Sequence, residues 1–155
     1  MGSGKTTVGG RVAERAGAPF RDLDSMIEHE AGMTIREIFA IRGEAGFRAL
    51  ESSLLPDALQ PGAVVALGGG TPVDESNWRL ITERAITVYL EVPFETIWKR
   101  VGPTSNRPLA TGRSRSELEA LLDERRPRYE QASHRVDAGR RPDVIADEVL
   151  TIWSA

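Results

Sequence analysis

The chain has 155 residues, 40% hydrophobic and 28% charged, with no cysteine, and its 20 basic and 23 acidic side chains leave a net charge of -3. That length suits one domain able to bury about 70% of its unfolded surface, and the charge balance offers no electrostatic footprint for nucleic acid or an anionic membrane. Disulfides and thiolate metal sites are excluded, no apolar stretch approaches the ~18 residues of a membrane span, and residues 1–20 lack a signal-peptide core, so a soluble cytoplasmic protein with small-molecule partners is expected.

Met1-Gly2-Ser3-Gly4-Lys5-Thr6-Thr7 carries the second half of a G-x-x-x-x-G-K-[ST] pattern. In that pattern backbone N–H groups face nucleotide phosphates, the lysine reaches the β/γ oxygens and the hydroxyl meets Mg²⁺. Gly-Ser-Gly is also a linker sequence, but Val8, Val12, Ala13 and Ala16 follow at helical spacing. The glycines therefore sit at the N-terminus of a helix predicted from Thr6 to Ala16, where amides and dipole favour an anion. Pro19 to Leu23 reads as a short strand with Asp22 and Asp24 at its end. In an extended chain these two side chains share one side, one available to a metal and the other to a substrate; capping of the next helix is the alternative.

Helices are predicted around Ser25 to Glu30, Thr34 to Ile41 and Gly46 to Ala58, the last broken or kinked near Pro56. Ala63 to Leu67 is an apolar run expected to be a strand covered on both faces. It stops at Gly68-Gly69-Gly70, which allow close backbone approach to a ligand at the carboxyl end of a sheet, or a plain flexible turn. Asp74 to Glu83 reads as a helix, Ile86 to Leu90 as a strand and Phe94 to Val101 as a helix after Pro93. Gly102 to Gly112 is polar, rich in Gly, Pro and Arg, and long for a simple connection, which makes it a candidate lid. Ser114 and Glu117 have capping-box spacing for a helix to about Ala132, then a strand near Arg135 to Asp137 and a helix from Pro142 to Trp153 close the chain. Strands alternating with helices predict an α/β fold with a parallel sheet.

Three arginines stand out. Arg48 and Arg125, from distant helices, could clamp one carboxylate in bidentate fashion, although pairing with Glu44, Glu51 or Glu124 would satisfy either. Arg107, in the candidate lid, suits a group that neutralises a transferring phosphoryl, or is a plain surface residue. His29 and His134 lack metal spacing, and Trp78, Trp98 and Trp153 read as packing residues.

The ordered set Gly-Ser-Gly-Lys-Thr, Asp-Leu-Asp, Gly-Glu-x-x-Phe-Arg, Leu-Gly-Gly-Gly, Arg-Pro-Leu and Arg-x-Pro-x-Tyr resembles the shikimate kinase family, of the nucleoside-monophosphate-kinase-like P-loop group, from Met1 to about Trp153. The resemblance implies a single domain over residues 1–155, a P-loop three-layer sandwich with helices flanking a parallel sheet of family order 2-3-1-4-5. Within it a substrate-binding helical region spans about 25–58 and the lid about 102–114. It implies a monomer that transfers the γ-phosphoryl of ATP to the 3-hydroxyl of shikimate, with one Mg²⁺. Lys5 would hold the β/γ phosphates within a nucleotide site of Gly2, Ser3, Gly4, Thr6 and Thr7, Thr6 would ligate the metal and Asp22 would reach it through water. Asp24 would bind the shikimate hydroxyls and accept the proton, Arg48 and Arg125 would grip the carboxylate, and Gly68, Gly69 and Gly70 would lend backbone contacts. Arg107 would close over the phosphates, and Arg100 and Arg141 would flank adenine. The family's first strand and first P-loop glycine would stand before Met1, so a start-site misassignment or a truncated chain is expected. A gluconate-kinase-like enzyme is one competing expectation, and a shikimate-binding protein without ATP affinity is another.

Overall fold

The computed structural model describes residues 2–101 and 112–155. Among them the order is α1 (Lys5–Ala16), β1 (Phe20–Asp22), α2 (Leu23–Ala31), α3 (Ile35–Ala58), β2 (Val64–Ala66), a 3-10 turn (Thr71–Val73), α4 (Glu75–Arg84), β3 (Val88–Glu91), α5 (Phe94–Val101), α6 (Arg115–Tyr129), β4 (His134–Asp137) and α7 (Pro142–Trp153). Gly102 to Thr111, most of the candidate lid and with it Arg107, lies outside the described residues.

Local chemistry accounts for most boundaries. Thr34 accepts from the Glu37 N–H at 3.2 Å while the Glu37 carboxylate takes the Thr34 N–H at 2.7 Å, a capping box that starts α3. Ser114 and Glu117 repeat the device for α6. The two helices expected within 34–58 run together as one element interrupted at Gly43, whose φ of 68° only glycine adopts readily. α6 stops at Tyr129 rather than Ala132, where the Glu130 N–H turns back to the Arg126 and Arg128 carbonyls.

β1 lies parallel to β2, Phe20 opposite Val64 and Asp22 opposite Ala66, and β3 lies parallel to β4, Val88 opposite His134 and Glu91 opposite Asp137. The two pairs are not hydrogen-bonded to each other. A cleft of about 760 Å³ lies between them, bordered by Val64, Val65 and Ala66 on one side and Val88, Leu90 and Val92 on the other. Across the cleft the strands follow one another as β1-β2 and then β3-β4, with β2 and β3 facing each other. The strand expected at Ala63 to Leu67 is covered on both faces, Val64 and Val65 being only half-buried because the strand's edge borders the cleft.

Two apolar clusters flank the strands. Val8 and Val12 of α1, Ile97 and Val101 of α5, Leu118 and Leu122 of α6 and Ile145 of α7 form one; Leu23, Ile27, Ile38, Phe47, Leu55 and Ile81 from α2, α3 and α4 form the other. Val64 packs on the first and its neighbour Val65 on the second, the alternation of a strand in the middle layer of three. α1 closes onto β1 because Gly9 has no side chain; a Cβ there would stand 2.7 Å from Phe20 Cε2. Among the described residues no helix is long and apolar enough to cross a membrane.

Candidate active site

The phosphate loop is built by backbone. Gly2 and Gly4 adopt φ of 65° and 82°, and Gly4 stands as the N-cap of α1 without a side-chain cap, so the first-turn N–H groups of α1 have no side chain from the cap and can serve an anion. A second cleft, about 600 Å³, is lined by Gly2, Ser3, Gly4, Lys5, Thr6 and Thr7 with Arg100 and Arg140. Arg100 Nη1 donates to the Gly2 carbonyl at 2.7 Å, tying α5 to the loop. Arg141 is the N-cap of α7 and is not among the lining residues, whereas Arg140 is, held by Glu148 and Asp137.

Thr6 Oγ1 donates to Asp22 Oδ2 at 2.8 Å, joining the first turn of α1 to the end of β1. The other Asp22 oxygen accepts from the Ser25 N–H at 3.3 Å and caps α2. Capping and placement beside Thr6 therefore coexist in one carboxylate. That cap also corrects the expected extended Asp-x-Asp: α2 begins at Leu23, and Asp24 sits in its first turn.

Facing the glycine loop after β2, α3 carries Arg48 one turn before Glu51. Arg48 Nη1 donates to Glu51 Oε2 at 2.8 Å, its guanidinium lies over the Phe47 ring at 5.2 Å, and Glu44 approaches at 3.5 Å. The guanidinium rests on Gly70: a Cβ there would stand 2.5 Å from Arg48 Cζ and closer still to both Nη atoms. At Gly68 an added Cβ would meet Asp24 Oδ1 at 3.2 Å and Glu51 Oε1 at 3.3 Å, so the glycine loop brings α2 and α3 carboxylates together. Gly69 offers its carbonyl to the Tyr129 hydroxyl, which donates at 2.6 Å from the end of α6. Arg125, one turn earlier and only 7% exposed, reaches the same phenol. Burial pushes the Tyr129 hydroxyl up, opposed by the charges of Arg125 and Arg48. Arg125 thus reaches the glycine loop through Tyr129 on Gly69, and Arg48 lies against Gly70 of the same loop.

The shikimate kinase profile matches residues 1–153. This chain belongs to the shikimate kinase family. The shikimate kinase of Salinibacter ruber is 43% identical over 166 residues, covering 100% of this chain and 81% of its own. The solved shikimate kinase of Acinetobacter baumannii, in complex with shikimate, superposes with a TM-score of 0.93 at 35% identity, covering 99% of this chain and 88% of that one. The Aquifex aeolicus shikimate kinase gives a TM-score of 0.88 at 33% identity, with coverage of 99% and 92%. With the family comes the class of activity, ATP-dependent kinase, and the P-loop α/β fold.

Within this shikimate kinase fold, sequence reasoning missed Thr71 and Asn77 and had Glu51 only as a pairing partner of Arg48, which it is. Glu51 looked like an ordinary i,i+3 partner of Arg48, and only its burial, at 1% exposure, sets it apart. Thr71 and Asn77, also buried, carry no local signal; Asn77 Nδ2 donates to the Thr71 carbonyl at 3.2 Å.

Proposed function

We propose that the chain transfers the γ-phosphoryl group of ATP to the 3-hydroxyl of shikimate, giving shikimate 3-phosphate and ADP for aromatic amino acid synthesis. The observation that carries this reading is that Arg48, against Gly70, and Arg125, through Tyr129 on Gly69, both meet the glycine loop. Two guanidinium groups from separate helices suit one carboxylate, and glycine backbone beside them suits ring hydroxyls. Acid binding there turns the substrate's hydroxyl edge towards Asp24.

In the transfer, the substrate oxygen forms a bond to the γ-phosphorus as the bond from that phosphorus to the β–γ bridging oxygen breaks. The hydroxyl proton passes to Asp24. Such reactions need positioning and charge neutralisation more than covalent chemistry, and Lys5 with the amides of Gly2 to Thr7 supplies both to the nucleotide. Arg100 steadies the loop from α5 and, with the Arg141 segment, borders the base. Arg107 is assigned to the transferring phosphoryl by the resemblance alone.

Mg²⁺ suits the oxygen pair of Thr6 and Asp22, 2.8 Å apart beside the phosphate loop, since this ion is held by one or two carboxylates with substrate phosphates. Bound there, it would neutralise charge on the phosphate oxygens. The protein acts as a cytoplasmic monomer in this reading. The deciding experiment couples ADP release to a chromogenic readout with shikimate or gluconate as acceptor, beside titration of each by calorimetry. Turnover with shikimate is expected; turnover with gluconate alone would overturn the proposal.

A further inference from the structure

Glu51 and Thr71 are closed to solvent, 1% and 0% exposed, so neither can touch a bound ligand. They meet nonetheless in the middle of the substrate side. Thr71 Oγ1 donates to Glu51 Oε1 at 2.6 Å, and Glu51 Oε2 accepts from Arg48 Nη1 at 2.8 Å. Thr71 is itself fixed at both backbone ends, its N–H on the Gly68 carbonyl at 3.2 Å and its carbonyl under Asn77 Nδ2 at 3.2 Å. Gly70, the residue just before it, lies flat against the Arg48 guanidinium.

A threonine hydroxyl has a single proton to give. Spent on Oε1, it fixes the rotation of the Glu51 carboxylate and presents Oε2 to Arg48. Without that hydroxyl, Oε1 would be a buried charged acceptor lacking its partner, and the cheapest repair is for the carboxylate to turn and draw the guanidinium after it.

We propose that Thr71 is a positioning residue for the acid substrate: its hydroxyl sets Glu51, and Glu51 sets the angle at which Arg48 meets the substrate carboxylate. The inference rests on the substrate reading of the preceding subsection. It makes the glycine loop and the Arg48 fork one rigid unit, joined through a hydrogen bond between segments 20 residues apart.

The test compares Thr71→Val, which keeps the shape and removes the hydroxyl, with Thr71→Ser, which restores it, and with Glu51→Gln. Initial rates give KM for shikimate, KM for ATP and kcat, and thermal melting is followed in parallel. Thr71→Val is expected to raise the shikimate KM about tenfold, leaving the ATP KM and kcat within about twofold, and Thr71→Ser returns the shikimate KM towards the wild-type value. Glu51→Gln, which places an amide donor or a mispaired oxygen before Arg48, raises the same KM. An unmoved shikimate KM in Thr71→Val or Glu51→Gln overturns the inference. So does a joint rise in both KM values that serine fails to rescue, which would mean packing alone. A wild-type chain that turns over no shikimate defeats the substrate reading and this inference with it, whereas wild-type turnover with unmoved variants defeats only this one.

Discussion

Replacing Gly70 by alanine tests the placement of Arg48 through binding and stability at once. Gly70 has φ of -87° and ψ of -21°, a conformation that alanine adopts without strain. The backbone term of Gly70→Ala is therefore neutral to stabilising, by about 0.4–1 kcal/mol through the unfolded chain. The new methyl group, however, would occupy the place of the Arg48 guanidinium, 2.5 Å from Cζ. Arg48 is the movable partner because its side chain is long and partly exposed, while Gly70 is held from both sides. Moving the guanidinium breaks its 2.8 Å bond to Glu51, at a cost to stability, and withdraws from the substrate carboxylate a charged hydrogen bond worth roughly 1.5–3 kcal/mol. At about 1.4 kcal/mol per tenfold, shikimate affinity should fall on the order of 10- to 100-fold. Calorimetric titration of shikimate measures the loss, and differential scanning fluorimetry measures the melting temperature of the same preparations. The expected pair is a large rise in Kd with a melting temperature lowered by about 2–8 °C, because the lost Arg48–Glu51 bond outweighs the backbone gain. An affinity within about threefold of wild type would refute the placement of Arg48 at the substrate carboxylate.

The double duty of Asp22 predicts that Asp22→Asn keeps the α2 cap, since asparagine caps as well as aspartate, while Asp22→Ala costs about 1 kcal/mol. Both should raise the Mg²⁺ concentration needed for half-maximal turnover, so melting curves that treat the two variants alike would count against the cap. The Tyr129 phenol holds its proton more tightly folded than unfolded, chiefly through burial. Stability from this group is therefore complete below the unfolded pKa of about 10 and is lost as pH rises through the higher folded value. Urea midpoints should fall less steeply above pH ~10 in Tyr129→Phe than in wild type, although the variant starts lower for want of its bond to Gly69; parallel declines would refute the assignment. Trp78 lines the cleft between β2 and β3, so a polypeptide of residues 1–155 should bind an apolar dye with energy transfer from that tryptophan. Dye emission no stronger than that of a well-packed control would show the cleft to be closed in solution.

Much of this was readable because it was local. The glycine-lysine-threonine run announced a helix N-terminus, Ser114 and Glu117 announced α6, and the apolar runs at 63–67 and 86–90 announced strands, the first trimmed to Val64–Ala66 and the second shifted to Val88–Glu91. The Asp-x-Asp geometry was misjudged because a cap at Asp22 competes with the strand and wins within one residue. Thr71 was invisible, and the burial of Glu51, named only as one partner of Arg48, was too, for a different reason. A glutamate three residues after an arginine is unremarkable on any helix, and its burial depends on a hydroxyl arriving from beyond β2. Periodicity reports which face is apolar, but not which charged group on that face a distant turn will satisfy.

Asp22 holds a further consequence. One of its oxygens begins the helix that bears Asp24, and the other clasps Thr6 at the mouth of the nucleotide loop. A cation drawn to that carboxylate would pull on the root of α2. With Mg²⁺ and the proton-accepting role of Asp24 as proposed above, arrival of the nucleotide and the aim of that acceptor would be geared together through a single side chain.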